Sequence, residues 1–262
     1  NLATSKFSKL LIKLKPHLIV TFGDRFEMLA FSFTAYTHNI KQAHIAGGEV
    51  TQGSLDDGFR NAITNFSTFH FPVTEIYKKN LIRKGIKSKN IFNYGNLGLD
   101  KINKINFLSK ENLKKKVKVN FKNKNFIVVF HPETLEIHNT EKNLKILLSA
   151  LSNFKKINFI FTSSGSDYLS KKFIKIILKF IKRKNNMHFY KNLGSKIYLS
   201  LLKYSDGIIG NSSSGISEAP LLNIPTLNVG NRQKGRIMLK SIYNCSINKT
   251  QISKNITKML NS

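Results

Sequence analysis

Short apolar runs of strand length recur along the chain, at 18–21, 42–45, 68–73, 91–94, 126–130, 158–161, 187–190, 207–209 and 226–229. Stretches with helical spacing of apolar residues separate nearly all of them, as in Phe7, Leu10, Leu11 and Leu14, or Phe173, Ile176, Ile177, Phe180 and Ile181. A two-residue period bounded by turns predicts strands, and a three-to-four-residue period predicts amphipathic helices. Strand and helix alternating at this interval predict an α/β fold with parallel sheets, because parallel neighbours need a crossover helix. Several predicted strands run into polar or glycine-rich turns: Gly23-Asp24-Arg25, Gly47-Gly48-Glu49, His131-Pro132-Glu133, Ser163-Ser164-Gly165 and Asn211-Ser212-Ser213-Ser214-Gly215. Ligands of open parallel sheets bind beyond the carboxyl ends of the strands, so function is expected at these turns.

Between about residues 100 and 125 the pattern fades into Lys- and Asn-rich sequence. The division this suggests is a partial N-terminal Rossmann-like domain over 1–104, a linker over 105–124 and a C-terminal Rossmann-like domain over 125–262, the two domains facing a cleft. No heptad or solenoid repeat is present.

Charge changes the picture less than its size suggests. The formal net charge is +29, which invites a nucleic-acid reading through counterion release. Yet the 43 basic residues are 37 Lys and only 6 Arg, and the lysines are spread among Asn and Ile over every segment. Bidentate readers of phosphate and bases are arginines, so a solvated surface is expected rather than a specific nucleic-acid partner. The rarer residues carry more information. Five of 14 acids (Asp24, Glu27, Glu49, Asp56, Asp57) lie within one 34-residue stretch, and four of the six Arg (Arg25, Arg60, Arg232, Arg236) sit next to Gly- or Ser-rich turns. The single cysteine, Cys245, excludes an internal disulfide framework and a Cys-based zinc cluster. With no apolar run of membrane-spanning length, the expectation is a cytoplasmic protein with no membrane partner.

Three constellations carry candidate chemistry. Gly210 to Glu218 follows a strand and opens a helix, a place where small residues let backbone N–H groups approach a phosphate and hydroxyls add donors. Ordinary serine capping is the alternative, but a capping box would need Ser or Thr at position 215, which is Gly, leaving Glu218 available for a group such as a ribose diol. The turn 230–236 adds Arg232, Lys234 and Arg236, suited to a diphosphate. His131 stands just past an apolar strand, either as a ligand contact or as a structural residue; His138 and Glu136 do not complete a metal site with it. Lastly Asp24, Glu49 and Asp56 offer carboxylates at adjacent strand ends. They could perform acid/base work, or could be absorbed by an Asp24–Arg60 pair and a helix cap at Glu49. Neither a Walker A loop, a dinucleotide fingerprint nor a G-x-S-x-G elbow occurs.

The string HIAGGEVTQGSLDDGFRNAITNFSTFH over 44–70, with GDRFE over 23–27, FHPET over 130–134 and GNSSSGISEAPLLNIPTLNVGNRQKGR over 210–236, closely resembles the hydrolysing UDP-N-acetylglucosamine 2-epimerases. The resemblance implies a glycosyltransferase-B-like fold, a UDP-sugar substrate and no cofactor. It further implies a homo-oligomer, and release of UDP with an N-acetylmannosamine-type sugar for sialic-acid-like pathways. By position, His131, Ser212, Ser213, Ser214, Glu218 and Arg232 would hold UDP, with Arg25 near the diphosphate and His44 contacting substrate. Asp24 and Asp56 match family carboxylates implicated in catalysis. The non-hydrolysing 2-epimerases and a truncated, inactive UDP-sugar binder are the alternatives the resemblance leaves open.

Three departures accompany it. Ala46 stands where members acting on UDP-N-acetylglucosamine commonly carry a glutamate. That points to a related UDP-sugar, such as a 2,4-diacetamido-trideoxyhexose, with Glu49 in the catalytic role, or to impaired activity. Ser164-Gly165 replaces a family Pro-Asn pair. The family pattern also begins about one hundred residues earlier.

Overall fold

A computed structural model describes residues 2–163 and 170–261, which form two compact units, 1–100 and 101–262. The first unit runs α1 (Leu2–Leu14), β1 (Leu18–Phe22), α2 (Phe26–Thr37), β2 (Lys41–Ile45), α3 (Asp56–Phe66), β3 (Phe69–Phe71) and α4 (Glu75–Arg83). Its three strands are parallel in the order β1-β2-β3. Leu11, Ile19 and Ala35 pack together with Phe31 and Ile40, tying α1 and α2 to the first strand. Beneath α2, Ser32 donates to the Gln42 side chain (2.6 Å), which donates back to the Ser32 carbonyl (2.9 Å), so even the polar contacts of this layer are internally satisfied. The run 91–94, expected as a strand, contributes only an isolated bridge from Ile91 to His70.

Helix α5 (Leu97–Lys104) leads into the second unit, followed by α6 (Lys110–Lys116), β4 (Asn125–Val129), α7 (Thr140–Leu151), β5 (Asn158–Thr162), α8 (Ser170–Ile181), β6 (Met187–Tyr190), α9 (Gly194–Lys203), β7 (Gly207–Gly210), α10 (Ser214–Leu221), β8 (Thr226–Val229), β9 (Ile242–Cys245) and α11 (Lys249–Leu260). The six strands are all parallel in the order β6-β5-β4-β7-β8-β9. Counted from β4, this is the doubly wound order in which the chain reverses direction across the sheet between its first and fourth strands, here β4 and β7. Phe126, Phe159, Phe161, Leu227 and Val229 from the sheet meet Leu144, Leu148, Phe173 and Ile252 from α7, α8 and α11 in one apolar core.

The segment 105–124 is not the linker its composition suggested. Ser109 caps α6, accepting the Asn112 N–H, and Leu113, Val117 and Val119 are buried. The Leu108 N–H donates to Ser200 Oγ (2.9 Å) and the Lys118 N–H to the Tyr190 hydroxyl (2.5 Å), fastening the segment to the second unit. Its lysines are the solvent face of a short amphipathic stretch, which composition alone reads as a spacer. Strand β9 went unpredicted because Ile-Tyr-Asn-Cys carries too short an apolar signal beside Ser246 and Asn248.

Candidate functional site

In the first unit, the ends of β1 and β2 converge through a histidine. The Gly23 N–H donates to the Ile45 carbonyl (3.0 Å), and His44 Nε2 lies 2.9 Å from the Gly23 carbonyl, which fixes the ring proton on that nitrogen. Nδ1 then accepts from the Thr64 hydroxyl on α3 (3.0 Å). The ring is 0% exposed, and burial lowers its pKa to about 4, so it is neutral at ordinary pH. This corrects the expectation that His44 contacts substrate: with both nitrogens engaged inside the unit, it holds the Gly23 turn.

The acidic cluster is organised around one buried cation. Arg60, on α3 and 1% exposed, pairs with Asp24 and Asp57 and donates to the Glu49 carbonyl (3.2 Å). Asp57 also accepts the Thr51 N–H (2.5 Å) and Asn61 Nδ2 (3.2 Å), so its carboxylate is occupied as a clasp for the loop entering α3. Asp56 points elsewhere, accepting from Ser54 Oγ at 2.6 Å. Glu49 is buried at the end of a turn in which Ala46 and Gly48 both have positive φ (66° and 82°). The Asp24–Arg60 pair anticipated as the bland alternative is therefore present, and it leaves the Asp24 side chain about a quarter exposed. Arg25, expected near a diphosphate, carries a partly exposed guanidinium 3.3 Å from Glu27 and over the Phe26 ring.

In the second unit the switch point between β4 and β7 is closed by Asn211, which is 0% exposed. Its Oδ1 accepts the His131 N–H (2.7 Å) and its Nδ2 donates to the His131 carbonyl (3.0 Å). Its own carbonyl accepts from Arg232 Nη1 (3.2 Å) and Gln233 Nε2 (2.8 Å). One residue thus gathers the turn after β4, the start of the serine run and the cationic turn after β8. Gly210 makes this crossing possible: its φ is +138°, and a Cβ there would collide with the Val129 carbonyl. Helix α10 begins with no side-chain cap at Ser213, which is exposed; Ser212 Oγ accepts the Ser214 N–H at 3.3 Å. The Gly215 N–H bonds the Ser212 carbonyl (3.2 Å) and the Ile216 N–H the Ser213 carbonyl (2.9 Å), so what this end of α10 offers an anion is the positive end of the helix dipole.

Ser214 does not join that group. It is buried, accepts from the Tyr198 hydroxyl (2.6 Å) and bonds the Glu218 side chain, so it braces the helix from within. Burial is the main cause raising the pKa of Glu218, which is half-buried one turn into α10. His131 and Arg232 are likewise half-buried at this strand-end cluster. The Ser164-Gly165 departure lies outside the described residues. Asn211, Glu133 and Gln233 were not singled out from sequence, although a buried amide directly after a strand glycine is a readable signal for a switch-point clasp. Among the described residues no group of three or more His, Cys, Asp or Glu is arranged to hold a metal ion, and no described helix is long and apolar enough to cross a membrane.

One parallel α/β unit brings a helix N-terminus and Arg232 to its switch point and the other sets carboxylates at its strand ends, and two such units define the glycosyltransferase-B-like class of fold. A sequence profile of the UDP-N-acetylglucosamine 2-epimerase family matches residues 1–262, and the chain belongs to that family. It is 39% identical over 249 residues to the Campylobacter jejuni GDP/UDP-N,N'-diacetylbacillosamine 2-epimerase (hydrolyzing), covering 95% of this chain and 65% of that protein. It is 37% identical to the Escherichia coli polysialic acid biosynthesis protein P7, covering 91% and 61% respectively. The chain therefore spans 61–65% of the length of these curated relatives. The Neisseria meningitidis UDP-GlcNAc 2-epimerase bound to UDP-GlcNAc shares the fold, with a TM-score of 0.83 at 19% identity over 99% of this chain and 72% of that one.

Proposed function

We propose that the chain is the UDP-binding and carboxylate-bearing part of a hydrolysing 2-epimerase. It would convert a UDP-N-acetylhexosamine to UDP and the free 2-epimeric sugar. The observation that carries this reading is the Asn211 clasp, which sets His131, the start of α10 and Arg232 around one point at the switch of a parallel sheet. His131, Ser212, Ser213 and Arg232 hold the UDP moiety, Glu218 takes the ribose hydroxyls, and Arg25 supports the diphosphate. Asp24, Glu49 and Asp56 share the acid/base work.

Chemically, a carboxylate takes the weakly acidic C2 proton while the C1–O bond breaks and UDP leaves with the electron pair, giving a glycal. Water then adds across the double bond, its hydroxyl to C1 and a proton to C2 from the opposite face, which inverts that centre. Oxidation level does not change, so no redox cofactor is called for. Positioned proton transfers of this kind contribute roughly 10²–10⁴ each, and donors on the departing diphosphate stabilise the charge that develops there.

The names of the Campylobacter jejuni and Legionella pneumophila relatives, at 39% and 30% identity, support a 2,4-diacetamido-trideoxyhexose donor over UDP-N-acetylglucosamine. Ala46, in place of the glutamate common in members using UDP-N-acetylglucosamine, supports the same choice, with Glu49 in its stead. The E. coli relative's name, a polysialic acid biosynthesis protein, supports a product destined for a sialic-acid-like sugar. Proton NMR in D₂O with both donors tests the reading. The expected products are free UDP and a C2-deuterated manno-configured sugar; a UDP-linked epimer without free UDP would instead indicate the non-hydrolysing reaction.

A further inference from the structure

The turn that carries Arg232 has no regular element to hold it, yet its backbone is fixed from inside by a carboxylate 98 residues away in sequence. Glu133, two residues beyond His131, is 4% exposed. Its Oε1 accepts the Asn231 N–H at 2.9 Å, its carboxylate also takes the Arg232 N–H, and its Oε2 accepts Asn143 Nδ2 from α7 at 3.2 Å. Gly230 opens the turn with φ +89° and its N–H on the Cys245 carbonyl (2.8 Å); a Cβ at this position would run into Glu133 Oε1. The carboxylate therefore fills the concave side of the turn, where only glycine leaves it room. Thr140 Oγ1 donates to the Glu136 carbonyl (3.2 Å), bracing the loop on which Glu133 sits.

A buried carboxylate is costly unless its lone pairs are met, and here main-chain N–H groups of the cationic turn meet them. An acceptor-only group suits converging N–H donors; an amide would present a donor of its own to one of them. The arrangement costs nothing extra when a ligand arrives, because the turn is already ordered. The geometry points to Glu133 as a positioning residue: it presets the 230–236 turn so that Arg232 stands ready for the diphosphate of UDP. It touches no reacting atom and acts through Arg232. This rests on the UDP-binding reading of the second unit.

The test is UDP binding by calorimetry to the full chain and to Glu133→Ala, Glu133→Gln, Arg232→Ala and the Glu133→Ala/Arg232→Ala double variant. Loss of buried bonds of this type corresponds to about a tenfold weaker Kd for Glu133→Ala. Glu133→Gln should recover most of it, since its Oε1 still receives the Asn231 N–H while Asn143 turns its amide. On the Arg232→Ala background the Glu133→Ala change should cost less than about twofold, the non-additivity of residues acting as one unit. An unchanged Kd for Glu133→Ala, or an equal loss with and without Arg232, would overturn the proposal and reduce Glu133 to a fold-stabilising residue. Should Glu133→Ala fail to fold, Glu133→Asp, which withdraws the charge by one methylene, carries the same comparison. If the unaltered chain does not bind UDP, the UDP reading fails by itself. Hydrogen exchange then decides for Glu133: lost protection of the Asn231 and Arg232 amides in the Ala or Asp variant, but not in Gln, supports the preset turn, and retained protection refutes it.

Discussion

Replacing Asn211 by alanine removes both side-chain bonds that join β7 to the turn after β4, at 2.7 and 3.0 Å. The His131 N–H and carbonyl lose their partners together, and the side chain they bonded is 0% exposed, so water enters only if the switch point opens. Leaving a buried donor or acceptor unmet costs about 1–3 kcal/mol, and half-burial of His131 lets solvent recover part of it. The expected loss is about 2–4 kcal/mol. The carbonyl of residue 211 still receives Arg232 and Gln233, because those bonds use the main chain, so the damage is confined to the β4 side. For a unit of this size that corresponds to a fall of roughly 4–16 °C in Tm. The chain has no Trp, so unfolding is best followed by circular dichroism, with UDP titrated into the folded variant. Weaker UDP binding should accompany the lower Tm, since His131 is one of the groups displaced. Asn211→Asp separates the two bonds: it keeps the acceptor and loses only the donor, so its destabilisation should be smaller or differ through charge–carbonyl repulsion at 3.0 Å. A stability within about 0.5 kcal/mol of the unaltered chain for Asn211→Ala, the range of a neutral surface change, would refute the clasp.

Other substitutions test the remaining elements. Arg60→Met leaves Asp24 and Asp57 without their shared cation and should cost about 3–5 kcal/mol of first-unit stability, measured by denaturant titration; a change below about 1 kcal/mol would show the pairs contribute nothing. Gly210→Ala should prevent the second unit from folding, read as loss of its cooperative transition, because the added Cβ meets the Val129 carbonyl. Burial lowers the pKa values of His44 and His70 to about 4, below the unfolded value of 6.5. The unfolded state therefore binds more protons between these values, so the contribution of both rings is full above pH 6.5 and is lost as pH falls toward 4. Denaturant titrations of the His70→Gln variant across this window should show a shallower pH slope than those of the unaltered chain; equal slopes would contradict a neutral buried His70.

The alternation of strands and helices was legible because parallel strands buried on both faces, as β4 and β7 are, must be apolar, and eight of the nine runs became strands. The eighth of these to be laid down, β8, shows what a sequence can offer as a candidate site: a short apolar run that stops at glycine and arginines reads as a strand delivering its turn to the sheet's carboxyl edge. What escaped the sequence were roles that depend on direction rather than position. Three consecutive serines look alike in a string, but a helix places Ser214 inward on Tyr198 while Ser213 faces solvent. His44 reads as a substrate contact only through its place in the family motif, whereas its burial between Gly23 and Thr64 is a tertiary fact with no local signature. Glu133 and Asn211 were hidden for the opposite reason, since a polar residue inside a conspicuous motif invites attention to its showier neighbours. The same logic explains the lysines of 105–124: periodicity over a single turn is too short to distinguish a covered helix from a spacer, and only the bonds to Ser200 and Tyr190 decide it. In this chain the candidate residues at the strand ends were named from sequence, and the residues that aim them had to be found from the packing.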